Sequence, residues 1–124
     1  MTAIVRPDSS KLDTILEGNE EALLTGHLLV TENDLSEPEK LLEKVTKPQD
    51  VFCHFGWGGS GSASRTDKAL QEKNMEISLE TIRTAKALGC KKFLFSGSQA
   101  EYGMHQDLIT ENTVCEPKSL YGEA

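Results

Sequence analysis

The chain has 124 residues, 37% hydrophobic and 27% charged, which gives room for one domain with a modest core. Its formal net charge of −7 excludes general binding to nucleic-acid backbones, because there is no excess of cations to displace counterions. No apolar run approaches the ~20 residues that span a bilayer, and no signal-peptide pattern follows Met1, so we predict a cytoplasmic location. The three cysteines lack zinc-ligand spacing, so we predict reduced thiols, two of them buried, and no metal site.

The first part of the chain alternates between strand and helix patterns. Ala3–Val5 has the composition of a strand and leads into a turn at Pro7. Apolar residues at helical spacing follow, and Gly18 marks the end of this short helix. We predict a second β segment over residues 22–24 and 27–30.

A further helix and strand are predicted in the middle of the chain. Ser36 and Glu39 have the spacing of a capping box at a helix start. The apolar face of this helix would consist of Leu41, Leu42 and Val45. Val51–Phe55 is a continuous apolar run and predicts a strand buried on both faces.

The second half begins with a long helix and ends in a fourth strand. The helix is predicted over residues 67–88, with Gly89 as its stop. Its buried stripe would consist of Met75, Ser78, Leu79, Ile82 and Ala85. The fourth strand is predicted over residues 92–96. The order βαβαβαβ predicts the α/β class, with a parallel, doubly wound, Rossmann-like sheet and flanking helices.

Hydroxyl groups follow the fourth strand directly. The apolar run ends at Ser96-Gly97-Ser98, at the carboxyl edge of the predicted sheet. Ligands of open α/β sheets bind at this edge. Tyr121 follows after a polar, loop-like insert, and we interpret Ser98 and Tyr121 as parts of one active site.

Gly56, Gly58 and Gly61 follow the third strand and match G-x-G-x-x-G. One interpretation is the fingerprint of a first Rossmann strand, which requires the last glycine at the start of a helix. A second is a mobile surface loop. A third is a ligand-facing loop at a later strand end, where small residues bring the backbone close to a cofactor. Residues 62–65 separate Gly61 from the next helical pattern, which argues against the first interpretation.

Five segments together resemble the extended short-chain dehydrogenases/reductases, specifically the nucleotide-sugar epimerase/dehydratase group. They are "AIVRPDSS", "ENDLSEPEKL", "DVFCHFGW", "NMEISLETIRTAKALGCKKFLFSGSQAEYG" and "ITENTVCEPKSLYGEA". The resemblance covers essentially the whole chain. It implies one partial NAD(P)-binding Rossmann-like domain over residues 1–124, running from the family's second strand to its catalytic tyrosine.

The resemblance implies a role for nine residues. Ser98 matches the catalytic serine or threonine, and Tyr121 the tyrosine of Y-x-x-x-K. The positions that match cofactor-binding residues are Arg6, Asp34, Leu35, Phe55, Gly56, Trp57 and Asn74. Arg6 occupies the position where a base favours the 2′-phosphate, so we expect NADP rather than NAD. The alternatives are a solvated arginine, a turn residue at Asp34 and a surface asparagine at Asn74.

Two parts of the family pattern lie outside these 124 residues. The first strand and its glycine-rich turn would precede Ala3, and the catalytic lysine would follow Ala124. The strand order 3-2-1-4-5-6 then predicts a slot between the second and fourth strands. We therefore expect an internal fragment, without the carboxyl-terminal substrate region, that folds marginally and has no turnover alone.

The function implied by the resemblance is an NAD(P)-dependent epimerase, dehydratase or ketoreductase of a nucleotide-linked sugar, which can form a homodimer. One alternative is a non-catalytic dinucleotide-binding or regulatory module on the same scaffold. Another is an unrelated flavodoxin-like domain, for which the "RPDSS" turn would be a poor phosphate loop.

Overall fold

The computed structural model describes residues 1–59 and 61–124. The α/β class and the alternation of strands and helices are confirmed. The strands are β1 (Thr2–Val5), β2 (Leu29–Glu32), β3 (Val51–His54) and β4 (Lys92–Phe95). The helices are α1 (Leu12–Leu16), α2 (Glu20–Leu24), α3 (Leu41–Lys44), α4 (Lys68–Ala87) and α5 (Leu120–Glu123). Short 3₁₀ turns occupy Pro38–Lys40, Ser64–Thr66 and Gln99–Glu101.

The strands form two parallel pairs. β1 pairs with β2, with Thr2 opposite Leu29, and β3 pairs with β4, with Val51 opposite Lys92. The described residues therefore form two two-stranded sheets rather than one continuous sheet. A cleft lies between β1 and β3 and is described below.

The main core packs one face of the β3–β4 pair against α3 and α4. Its buried members are Leu41, Val45, Phe52 and Ala85. Phe52 stacks on Phe93 across the strand pair, with ring centroids 5.6 Å apart. The prediction that β3 is buried on both faces was wrong, because its burial alternates and Cys53 is exposed beside Leu94 on the uncovered face.

The long helix α4 begins after Asp67, whose side chain accepts a hydrogen bond from the Leu70 amide as an N-cap. The predicted buried stripe is wrong for most of its members. Met75, Leu79 and Ile82 are exposed. The buried face consists of Gln71, Asn74, Ile77, Thr81, Thr84 and Ala85. Polar residues occupy it because this face holds the loop after β3 as well as the core.

Four smaller expectations also differ from the structure. Residues 22–24 belong to α2 and not to a strand. Ser36 does not cap a helix, because its amide and hydroxyl both donate to Asp34 Oδ1, at 2.8 and 2.6 Å. Leu42 is exposed, unlike the rest of the predicted apolar face. Of the cysteines, Cys90 is half-buried and the other two are exposed, all as free thiols.

No helix within residues 1–59 and 61–124 combines the length and the hydropathy that crossing a membrane requires.

His54 is buried between the rings of Phe93 and Phe95, at centroid distances of 6.0 and 5.5 Å. Its Nε2 atom has no hydrogen-bond partner among the described residues. Burial lowers the pKa of His54 below its usual value of 6.5. Just below pH 6.5, His54 is therefore neutral in the folded protein but protonated in the unfolded chain.

We expect His54→Phe to reduce the acid sensitivity of the fold. Above pH 6.5, His54 is neutral in both states and does not lower the free energy of unfolding. As the pH falls below 6.5, protons bind preferentially to the unfolded state, and the free energy of unfolding decreases. The loss is at most about 1.4 kcal/mol per pH unit for one group. Urea unfolding at pH 7.5 and 5.5 measures it. The exposed control His27→Phe should leave the pH dependence unchanged, and an equal dependence in all three chains would contradict the assignment.

Candidate functional site

A cleft of about 860 Å³ lies between the two sheets, at the carboxyl ends of β1 and β3. This volume falls within the range typical of small-molecule and cofactor sites. The predicted cofactor-binding residues that line it are Arg6, Asp34, Leu35, Phe55, Gly56 and Trp57. Sequence positions 6, 34 and 55 are far apart, and the parallel strand ends bring them to one edge.

The glycine-rich loop after β3 forms one wall of the cleft, through Gly56, Gly58 and Gly59. The first-fingerprint interpretation was wrong, because α4 begins only at Lys68 and open space surrounds Gly61. Leu35 and Asn74 lie so close to the loop that a Cβ at Gly56 or Gly58 would meet them at 2.6 and 2.9 Å. The loop is therefore packed against its neighbours, unlike a mobile surface loop. Ser60 lies outside the described residues.

Asn74 holds this loop by its backbone. Its Oδ1 accepts a hydrogen bond from the Gly58 amide at 3.1 Å, and its Nδ2 donates to the Gly58 carbonyl at 2.8 Å. Asn74 is 3% exposed and does not line the cleft. Its position in the family motif predicted a direct contact with the cofactor. The structure instead gives it a contact with the loop backbone, which explains why an asparagine is buried on α4.

Gln71, one helical turn before Asn74, extends the same network and was not singled out from the sequence. Its Oε1 accepts from the Trp57 indole at 3.1 Å, and its Nε2 donates to the Ser64 carbonyl at 2.8 Å. It is 2% exposed. Because Gln71 and Asn74 are three residues apart on a helix, they lie on the same face, and this spacing could have indicated Gln71 from the sequence. The network fixes the Trp57 ring at the boundary between the cleft and a second, smaller site.

This second site is a hollow of about 100 Å³ that contains both predicted catalytic residues. Its lining consists of Trp57, Phe95, Ser96, Gly97, Ser98, Glu101, Tyr121, Gly122 and Ala124. The hollow and the cleft share Trp57, so they are adjacent. Ser98 and Tyr121 are thus brought together as the strand-edge position of Ser98 suggested.

The environment of Tyr121 is aromatic and cationic. The Trp57 ring meets it edge-on, with centroids 6.1 Å apart. The Arg65 guanidinium lies over the Tyr121 ring at 5.0 Å from its centroid, a cation–π contact. Arg65 was not predicted, since it lies in the loop before α4 and nothing in its sequence context links it to Tyr121.

Ser98 occupies the N-cap of the 3₁₀ turn Gln99–Glu101. Its Oγ accepts a hydrogen bond from the Ala100 amide at 3.2 Å. A hydroxyl has one hydrogen to donate as well as its acceptor lone pairs. The cap therefore fixes the serine while its hydrogen remains available for an oxygen in the hollow.

Two glycines explain how Tyr121 reaches Ser98 across a long insert. Gly103 has φ +76°, and a Cβ there would collide with the Glu116 carbonyl. The Glu116 amide also donates to the Tyr102 carbonyl at 3.3 Å, so the two ends of the insert meet. Gly122 lies against the Ala100 carbonyl, and a Cβ there would overlap it. Close backbone contact thus packs α5 on the turn that begins at Ser98.

Gly122→Ala tests this contact. Alanine in a helix is ordinarily more favourable than glycine by about 1 kcal/mol. Here the collision with Ala100 should reverse the sign and destabilise the fold by about 1–3 kcal/mol. The displaced α5 should also change the fluorescence of Trp57, the only tryptophan in the chain.

The matched control is Gly61→Ala, because Gly61 has open space around its Cβ position. We expect its stability to stay within about 0.5 kcal/mol of the native chain. Thermal unfolding and tryptophan emission measure both variants, and equal behaviour of the two would contradict the close contact at Gly122.

Lys11 also lines the cleft and was not predicted, although it follows the turn after β1 that contains Arg6. Asp34 follows the neighbouring strand β2, and the two hydrogen bonds from Ser36 lower its pKa. Two cations and one firmly ionised carboxylate therefore face the cleft. Within residues 1–59 and 61–124, no group of three His, Cys, Asp or Glu side chains is arranged to hold a metal ion.

Parallel strand pairs, flanking helices and a cleft at the strand ends define a Rossmann-like α/β protein. Residues 10–124 match the NAD dependent epimerase/dehydratase family, and the chain belongs to this family. A comparison with curated protein sequences gives no match.

Several solved structures are similar to the chain. One is a UDP-glucose 4-epimerase, 25% identical with a TM-score of 0.74, covering 98% of this chain and 35% of that one. Another is a UDP-N-acetylglucosamine 4-epimerase from Methanobrevibacter ruminantium M1 in complex with UDP-N-acetylmuramic acid. It is 26% identical with a TM-score of 0.71, and the match covers 98% of this chain and 38% of that one. A third, the UDP-Glc/GlcNAc 4-epimerase from Campylobacter jejuni, is 23% identical with a TM-score of 0.73, at 98% and 37% coverage. The chain thus spans little more than a third of these proteins.

Proposed function

We propose that this chain is part of an NAD(P)-dependent enzyme that acts on a nucleotide-linked sugar, as an epimerase, dehydratase or ketoreductase. The observation that carries the proposal is that one hollow contains Ser98 and Tyr121, and adjoins a cleft of cofactor size. Family membership and the UDP-sugar epimerases among the similar structures support the same substrate class.

Three residues that line the hollow, and Arg65 beside it, have a chemical role in this proposal. Ser98, capped by the Ala100 amide, donates its hydroxyl hydrogen to the sugar oxygen that reacts. Tyr121 exchanges a proton with the same oxygen. Arg65 holds the Tyr121 ring in place through its cation–π contact, and Trp57 shields one edge of the ring from water. These residues orient the oxygen and move its proton.

The cleft residues fit a dinucleotide. The backbone of Gly56, Gly58 and Gly59 forms a wall in which a side chain would collide with Leu35, Asn74 or Leu70. We propose that this wall holds the cofactor phosphates or ribose, and that Leu35 and Asp34 contact the adenine. When bound, the nicotinamide ring supplies hydride transfer. The chain's own contribution is to bind and orient this ring beside the hollow.

We further propose that the cofactor is NADP rather than NAD. Arg6 and Lys11 both line the cleft near the end of β1, so two cations are present for one 2′-phosphate. Charged hydrogen bonds to phosphate contribute about 1.5–3 kcal/mol each.

Titration with NADP⁺ and NAD⁺, followed by Trp57 fluorescence, tests both proposals. We expect the native chain to prefer NADP⁺, and Arg6→Ala to reduce the preference about tenfold. Arg83→Ala removes the same charge from the outer surface of α4 and should leave it unchanged. An unaltered preference in Arg6→Ala would contradict the role of Arg6. Absence of binding by either dinucleotide would contradict the function itself.

The 124-residue chain alone should bind without turnover. The alternative function, a non-catalytic dinucleotide-binding module on the same scaffold, would also bind a dinucleotide without turnover. NADPH-dependent reduction of a sugar nucleotide by the purified chain would contradict both the expected inactivity and this second candidate.

We propose a cytoplasmic protein that forms homodimers through α4. Met75, Leu79 and Ile82 form an exposed apolar stripe on this helix. Mixed charges flank the stripe in the ion pairs Lys73–Glu76 and Arg83–Glu80, so two copies would present complementary surfaces. Sedimentation equilibrium should show a dimer that Leu79→Glu dissociates, and a monomeric native chain would contradict this assembly.

A further inference from the structure

Glu101 contributes the only charged side chain among the described residues that line the hollow with Ser98 and Tyr121. It is half-buried. Gly97 makes room for it, because a Cβ at Gly97 would lie 2.9 Å from Glu101 Oε1. A side chain at position 97 would therefore occupy the space in which the Glu101 carboxylate lies beside the strand end.

The position of Glu101 is tied to that of Ser98. Both belong to the turn after β4, where the Glu101 amide donates to the Ser98 carbonyl at 3.1 Å. Within residues 1–59 and 61–124, its carboxylate has no ion pair or hydrogen-bond donor. The carboxylate oxygens can therefore still accept hydrogen bonds. A ligand that brings hydroxyl groups into the hollow would donate hydrogen bonds to them.

We propose that Glu101 selects the sugar, by accepting hydrogen bonds from hydroxyl groups of a neutral hexose and by repelling a uronic acid. This inference rests on the proposed function and narrows its substrate class. A carboxylate can accept from two hydroxyls at once. A second carboxylate at C6 of the sugar would bring like charges together in a partly dehydrated site, which raises the free energy of that complex. Ser98 and Tyr121 act on the reacting oxygen, whereas Glu101 acts on the sugar's other substituents.

Two ligands that differ only at C6 test the proposal, namely UDP-glucose and UDP-glucuronic acid. Trp57 is the only tryptophan and lines the hollow, so its fluorescence reports binding without turnover. The native chain should bind UDP-glucose at least about tenfold more tightly than UDP-glucuronic acid. Glu101→Gln keeps the shape and an acceptor oxygen but removes the charge, and should reduce this ratio to about threefold or less, mainly through tighter uronate binding.

Two further variants complete the design. Glu123→Gln removes the same charge from α5, where the side chain is exposed and does not line the hollow, and should leave the ratio unchanged. Glu101→Ala should also lower the ratio, and should in addition weaken UDP-glucose binding, because the acceptor oxygens are lost. Glu101→Ala alone decides the matter if Glu101→Gln does not fold.

The outcomes separate the two proposals. A ratio that falls in the Glu101 variants and persists in Glu123→Gln supports the selection. Binding of both ligands with a ratio unchanged by substitution of Glu101, or equally changed by Glu123→Gln, overturns the role of Glu101 and leaves the proposed function intact. Failure of the native chain to bind either ligand overturns the nucleotide-sugar function, and the selection with it.

Discussion

The rest of the site depends on the double hydrogen bond between the Asn74 side chain and the Gly58 backbone. An amide that both donates to and accepts from one residue fixes the position of that backbone in two directions. It does so from inside the structure, since Asn74 is buried on α4. The backbone of the loop is therefore anchored to α4 at Gly58. Ordering a wall that consists mainly of glycine costs much backbone entropy, which these two hydrogen bonds help to offset.

The position of this loop determines what lies next to Tyr121. Trp57 precedes Gly58 and is held by Gln71, so its ring can meet both Phe95 and Tyr121 edge-on. Asn74 and Gln71 of α4 therefore position the loop that lines both the cleft and the hollow. Polar residues on the inner face of α4 carry this arrangement, and the apolar part of the same face packs on β3. One helix thus serves both the core and the site, which explains why its buried face mixes glutamine, asparagine and threonine with Ile77 and Ala85.

Sequence patterns predicted the elements whose stability comes from local apolar runs, including β3, β4 and α4. They also pointed to Ser98 and Tyr121, which line one hollow, because strand ends and family motifs are visible in the chain. The inner face of α4 could not be found in this way, since hydrophobicity predicts the stripe at Met75 and Leu79, whereas hydrogen bonds to the loop determine burial. Arg65 was likewise missed, because its contact with Tyr121 depends on how the loop before α4 lies in space.

The junction at Gly103 and Glu116 has a consequence for variation of the chain. Because the two ends of the insert are joined by backbone contact, the segment between them does not have to hold Tyr121 in place. Its exposed apolar residues Met104, Leu108 and Val114 contribute little to the core. A doubling of such a loop costs only about 0.6 kcal/mol in closure entropy. Residues 104–115 can therefore be lengthened, shortened or replaced while Ser98 and Tyr121 stay in the same hollow.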